Sequence, residues 1–253
     1  MTTHISVSSR QSLLDDSERY HVTIPKGLES IDDDAFAGCT SLETVIIPDS
    51  VERIGVGAFK GCTSLKEIII PEMVRDIGRS AFEGCTSLKK MIIPASVKYI
   101  GVGAFIYCTS LEKVSIPESV RQIGECAFAY CTSLEEVSIP AGVEEIGDWT
   151  FVECTSLEKV IITKGVKAIG EGAFRGCTSL EKVNISASVE YIGPYAFEGC
   201  TSLETVSIPA SVDRIGEGVF EGCTSLKEII IPEGMKYIAS KMRYSNDVRI
   251  LFH

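Results

Sequence analysis

Cysteine is the most regularly placed reactive residue of this chain. Ten are present among 253 residues, and nine of them open a Cys-Thr-Ser-Leu tetrapeptide at Cys39, Cys62, Cys85, Cys108, Cys131, Cys154, Cys177, Cys200 and Cys223, always 23 residues apart. Thiols in such number raise zinc, disulfides and redox exchange. A fixed spacing in the twenties argues for a plainer role, a stacked column of small buried hydrophobes. Stacked Cα atoms ~4.8 Å apart fall inside the range a disulfide tolerates, whereas parallel inward side chains and an odd number in the column argue against bridges. Retention of these thiols fits a reducing compartment or a shielded core.

The other ingredients of catalysis are sparse. The three histidines, His4, His21 and His253, lie at the termini, so the repeated part cannot supply a Ser-His-Asp or Cys-His constellation or a histidine-rich metal site. Carboxylates abound at positions that vary between repeats and are expected to be wet, where no acid–base pair is desolvated. No catalytic, cofactor-binding or metal-binding residue is assigned, and no enzyme activity is expected. Cys126 stands outside the column, at a turn position held elsewhere by Gly57, Gly103 and Gly172; it is expected to be the exposed thiol, either an attachment or oxidation site or an incidental surface residue. Asn184-Ile185-Ser186 matches a glycosylation sequon and reads equally as a strand asparagine.

Against 24 basic residues stand 35 acidic ones, a formal net charge of -11, which disfavours a nucleic-acid partner because a phosphate footprint needs clustered Lys and Arg. Residues 1–20 are polar and contain no secretory apolar run, so no signal peptide is expected. No apolar stretch approaches the ~20 residues of a membrane-spanning helix.

The repeat itself dictates the architecture. In the unit from Cys39 to Gly61 the positions of Leu42, Val45, Ile47, Val51, Ile54 and Phe59 stay apolar from copy to copy. Leu-x-x-Val-x-Ile fits a short strand with Val45 and Ile47 inward and Thr44 and Ile46 outward, ended by Pro48, which has no N–H for a ladder. A second extended piece, Val51 to Ile54, leads into Gly55 and Gly57 and hence a tight turn. Such a unit cannot bury its own apolar face and must stack on copies of itself, so that each position becomes a column. Nine phenylalanines from Phe36 to Phe220 form one of these columns. At the ends, Arg19 stands in the leucine column, Ala239 replaces the Gly of the Ile-Gly pair, Asn246 falls at a Cys position, and Val248 to Phe252 offers a last strand to cover the edge.

The pattern LxxVxIPxSVxxIGxxAFxGCTS over residues 22–238 resembles the BspA-like leucine-rich repeats, a subclass with 23-residue units. The resemblance implies a β-rich solenoid, a right-handed leucine-rich-repeat horseshoe with short parallel strands on the concave face and turns or 3₁₀ segments elsewhere. It divides the chain into a cap segment (1–21), an array of about ten coils (22–238) and a second cap (239–253). Where many leucine-rich repeats carry an Asn ladder this chain has mostly Ser or Gly, such as Ser50 and Gly142, so its loop bonding is expected to differ. The family also implies protein binding, of adhesion or effector type; the alternative is a structural or engineered scaffold array with no dedicated ligand. A homo-oligomer is neither required nor excluded.

Two surfaces are candidates for a protein partner, because only irregular columns carry information. On the strand face, Ile46, Ile69 and Ile92 form an outward strip continued by Ser115 and Ser138, which also fits simple strand propensity. On the turn before each Cys, the usual Phe-x-Gly gives way in three successive coils to Ile106-Tyr107, Ala129-Tyr130 and Val152-Glu153, with Trp149 and Cys126 nearby. These align into an aromatic-rich patch of hot-spot composition, or into tyrosines that merely cover a wall thinned of glycine.

Overall fold

Every strand in the computed structural model, which describes residues 4–5, 21–239, 242, 244 and 247–252, runs parallel to its neighbours. Two kinds of strand alternate along the chain. Three- or four-residue strands such as Thr44–Ile46, Glu67–Ile69, Lys90–Ile92 and Lys113–Ser115 stack on one face, and two-residue strands such as Arg53–Ile54, Asp76–Ile77 and Tyr99–Ile100 build a ten-stranded sheet on another. Within the array, partners lie 23 residues apart, as in Val45↔Ile68 and Ile54↔Ile77. The chain is a parallel β-solenoid.

Period-2 alternation decides which residues of each strand enter the core. Val45 and Ile47 are buried and Ile46 is exposed. The nine phenylalanines from Phe36 to Phe220 are fully buried and ranked ring over ring, with centroids 5.2 to 5.8 Å apart and planes within 12° of parallel. The cysteine column does more than fill space. Each thiol from Cys62 to Cys223 donates to the carbonyl of a phenylalanine one coil back, 3.1 to 3.3 Å away, as Cys62 Sγ does to Phe36 O. The same Phe36 carbonyl also accepts the Cys39 amide at 3.1 Å, so the small weak donor fills a second lone pair that alanine would leave empty. Burial pushes the Cys108, Cys154 and Cys223 thiols up to about 12 from an ordinary 9.0.

Serine replaces the asparagine ladder. The hydroxyls of Ser50, Ser96, Ser119, Ser188 and Ser211 each donate to a carbonyl 22 residues earlier, at 2.6 to 2.9 Å. Gly142 interrupts the series, and there Arg121 Nη1 binds the Val120 carbonyl at 3.1 Å and the Glu118 carbonyl at 2.7 Å. The junction between these two coils is the loosest in the ten-stranded sheet. Gln122–Ile123 joins Glu145–Ile146 by one register pair where its neighbours share two. A methyl group at Gly147 would stand 3.3 Å from the preceding coil's backbone, against 2.5 Å at Gly101 and Gly124. On the other face, Lys113–Ser115 meets Glu136–Ile139 through Lys113↔Glu136 alone, and Val114 and Ile116, buried columns elsewhere, are half-buried.

Past the array, a 3₁₀ turn (Glu233–Met235) and a short helix α1 (Lys236–Ala239) take the place of the usual two-residue strand, burying Met235 and Ile238. This helix departs from the repeat: its last residue, Ala239, is a good helix former where most coils have the Gly that follows Ile. Strand Arg249–Phe252 then pairs with Glu228–Ile231 at an offset of 21 rather than 23. Most of the cap segment 1–21, including Arg19, lies outside the described residues, as does Asn246; within it, His4–Ile5 pairs with Ser30–Ile31.

Four measurements check this account. Phe128→Ala, in the middle of the ring column, is expected to cost about 3 to 5 kcal/mol in denaturant unfolding. Hydrogen exchange should find the Gly147 amide exchanging faster than those of Gly124 and Gly170, because it alone of the three lacks the bond to the carbonyl two dozen residues back. Titration with a thiol reagent should find Cys39 and Cys126, the part-exposed pair, in the native protein and all ten after denaturation. Since burial raises the thiol values in the folded chain, the unfolded chain releases protons first; the thiols' contribution to stability should therefore be constant below pH about 9 and be lost as pH rises towards 12.

Candidate protein-binding surfaces

The turn that follows each two-residue strand passes through the left-handed region twice. One column, four residues before the other, runs Asp34, Gly57, Ser80, Gly103, Cys126, Trp149, Gly172, Tyr195 and Gly218, with φ between 53° and 62°. The other runs Gly38, Gly61, Gly84, Tyr107, Tyr130, Glu153, Gly176, Gly199 and Gly222, with φ between 57° and 73°. The backbone keeps this conformation whatever the side chain, because its amides are tied to the next coil: Tyr107 N to Ala129 O at 2.9 Å, Tyr130 N to Val152 O at 2.8 Å, Glu153 N to Arg175 O at 2.7 Å. A side chain placed there is strained by roughly 1 to 2 kcal/mol. Among the described residues, five of the eight non-glycine residues that bear this strain, Tyr107, Cys126, Tyr130, Trp149 and Glu153, fall within three consecutive coils.

Tyr107 and Tyr130 stand one above the other with ring centroids 4.8 Å apart and planes 20° from parallel. They are 46% and 37% exposed. Ile106 beside them is half-buried. Glu153 occupies the next place in the same column and folds over Gly176, so closely that a methyl group there would meet its carboxylate at 2.5 Å. Trp149 belongs to the other column. Its indole lies across Gly172, and the Arg175 guanidinium sits 5.7 Å from the ring centroid, itself 3.0 Å from Glu198. The arrangement therefore brings the two tyrosines together and leaves Trp149 in the other column, packed on Gly172 and Arg175 of the following coil. Cys126 is half-buried rather than freely exposed; partial burial and the charges of Glu125 and Asp148 push its thiol above the ordinary value, which lowers its reactivity.

On the long-strand face Ile46, Ile69 and Ile92 are 63%, 72% and 57% exposed. Ile46 and Ile69 are register partners, and Ile92 faces Ser115 on its other side. Between Ile69 and Ile92 the sheet divides: strands through Glu67–Ile69 form a three-stranded piece, and those from Lys90–Ile92 onward an eight-stranded one. A groove of about 460 Å³ follows the division, lined by both isoleucines and by Lys66, Lys89 and Lys90. Sequence reasoning passed over Lys66 and Lys89. The signal available was a like-charged step in one column, Lys66 followed 23 residues later by Lys89.

Among the described residues, no helix is long and apolar enough to cross a membrane and no group of three or more His, Cys, Asp or Glu residues is disposed to hold a metal ion.

Comparison with known proteins agrees with this geometry. A family model described as the BspA type leucine rich repeat region (6 copies) matches residues 13–135 and 121–249. The leucine-rich repeat protein of T. pallidum is 30% identical, with 91% of this chain and 87% of that one covered at a TM-score of 0.57. The pneumococcal vaccine antigen PcpA shares the fold at 22% identity and a TM-score of 0.54, covering 94% and 82%. A leucine-rich cell surface protein of Faecalibacterium prausnitzii is 26% identical over 92% and 87%, at a TM-score of 0.45. No curated protein sequence matches the chain. With coils of 23 residues, parallel ladders and a family model spanning nearly its whole length, the chain belongs to the BspA-type leucine-rich repeat family.

Proposed function

We propose that the chain is a non-enzymatic protein-binding module of adhesion or effector type, and that Tyr107 and Tyr130 form the centre of a recognition surface. The observation that carries this reading is a local cost without a local return. Glycine occupies the same turn position in Gly38, Gly61, Gly84, Gly176, Gly199 and Gly222, and substituting tyrosine there incurs left-handed strain while leaving a large part of the ring in water. Stacking of the two rings offsets about 0.5 to 1.5 kcal/mol of that strain. What remains is rigid, pre-stacked aromatic surface, the composition that dominates protein interfaces. Half-buried Ile106 supplies an apolar shoulder. Trp149 and Glu153 extend the surface only as its margin, since each side chain already leans on the following coil.

The test exploits the strain. Tyr107→Gly/Tyr130→Gly should unfold at the same or a higher temperature than the parent, because relief of the left-handed residues balances the lost stack. The parent chain, immobilised and challenged with cell lysates and surface-protein extracts, should retain specific proteins that the double variant releases. Equal retention by both, with stability unchanged, would remove the tyrosines from the interface; retention of nothing but abundant background proteins by the parent would favour a scaffold without a ligand.

A further inference from the structure

A second surface, on a different face from the tyrosines, has a chemistry of its own. The division between Glu67–Ile69 and Lys90–Ile92 is confined to the long-strand face. On the opposite sheet the same two coils stay joined by Asp76↔Tyr99 and Ile77↔Ile100, and along the turn by Phe82 N to Ala104 O at 2.7 Å and Gly84 N to Ile106 O at 2.8 Å. The two coils are thus joined on two sides while the ladder is interrupted on the third, and the groove of about 460 Å³ lies along that interruption. Its floor carries Ile69 and Ile92, the former the most exposed large apolar side chain among the described residues.

The rim is basic in an acidic protein. Lys66, Lys89 and Lys90 line the groove with Glu67 and Glu72, while the chain as a whole carries -11. Lys66 and Lys89 are drawn in opposite directions, Lys66 to Glu43 at 2.8 Å and Lys89 to Glu112 at 4.0 Å, which leaves the space between them open. Lys90 stands opposite Lys113 in the ladder, a like-charge pairing that destabilises a sheet and is relieved by an incoming anion. We propose that this groove docks an extended peptide segment of a partner protein in which aliphatic side chains are flanked by Asp or Glu. The aliphatic residues rest on Ile69 and Ile92, and the carboxylates meet the lysines, whose long stems reach up around the bound segment. A three-residue strand face about 10 Å long matches a few extended residues. An anionic bilayer is the poorer fit, since its surface potential repels the excess negative charge on the rest of the molecule.

The inference rests on the reading of the chain as a binding module and is tested separately from the tyrosines. Fluorescence anisotropy with the full chain would compare a short labelled peptide in which Leu and Ile are flanked by Asp and Glu, its twin with Lys in the acidic places, and its twin with Ser in the aliphatic places. The first should bind at least about tenfold more tightly than either twin, and more weakly as salt rises. Lys89→Glu/Lys90→Glu and, separately, Ile69→Ser/Ile92→Ser should each lower its affinity about tenfold or more. All four side chains are exposed, so both variants should keep the parent's thermal unfolding. Tyr107→Gly/Tyr130→Gly should leave peptide affinity unchanged, which separates failure of this groove from failure of the tyrosine surface. Equal binding of the three peptides, indifference to the groove variants, loss of binding in the tyrosine variant, or capture of anionic phospholipid vesicles without peptide binding would each overturn the proposal.

Discussion

Stacking in a 23-residue register is the constraint from which the rest of this molecule follows, because it makes each residue's nearest non-local neighbour the corresponding residue of the next coil. A favourable contact is then multiplied along the array. The phenylalanine rings are the clearest case: each from Phe59 to Phe197 is buried between two others of its kind, and the carbonyl behind each of these rings accepts both its own coil's cysteine amide and the next coil's thiol. This explains why the column is built of cysteine. The site admits a small side chain in an apolar setting and still offers one acceptor, which a weakly polar thiol fills without the desolvation cost of a hydroxyl.

The same multiplication turns exceptions into features. A glycine replaced by tyrosine once would be a strained surface residue; replaced in two successive coils it becomes a stacked pair, because the register allows no other neighbour. Lysine at Lys66 and again at Lys89 becomes a rim, with the intervening groove following the division of the strand ladder. Glycine at Gly142 in place of the usual serine removes a hydroxyl bridge, and Arg121 enters the space so vacated. Each departure from the repeat is thus felt one coil away. In a solenoid this is how a monotonous core coexists with a differentiated surface.

The two surfaces proposed for binding make different demands on stability. Tyr107 and Tyr130 are held against their backbone preference by ladder bonds that a monomeric turn would lack, so rigidity is supplied by neighbours and the rings arrive pre-ordered. The isoleucine groove lies where one of three ladders is interrupted, the two coils being joined by the two that persist. Trp149 illustrates the opposite outcome. Its residue type suggests a contact residue, yet packing on Gly172 and Arg175 of the next coil makes it part of the wall.

The architecture was legible from the chain alone because it depends on period and polarity. A spacing of 23 and the alternation around Val45, Ile46 and Ile47 suffice to align the phenylalanines and turn Ile46, Ile69 and Ile92 outward, since stacking leaves no other burial for them. Tertiary structure decided what period cannot encode. Left-handed φ at Tyr107 and Tyr130 is imposed by amides reaching the following coil, the serine-to-carbonyl bridges form only across coils, and the groove beside Lys89 and the loosened junction at Gly147 depend on small differences in coil separation. Hydrophobic pattern is a property of residue types in order, whereas strain and gaps are properties of distance, and distance exists only once the coils have closed upon one another.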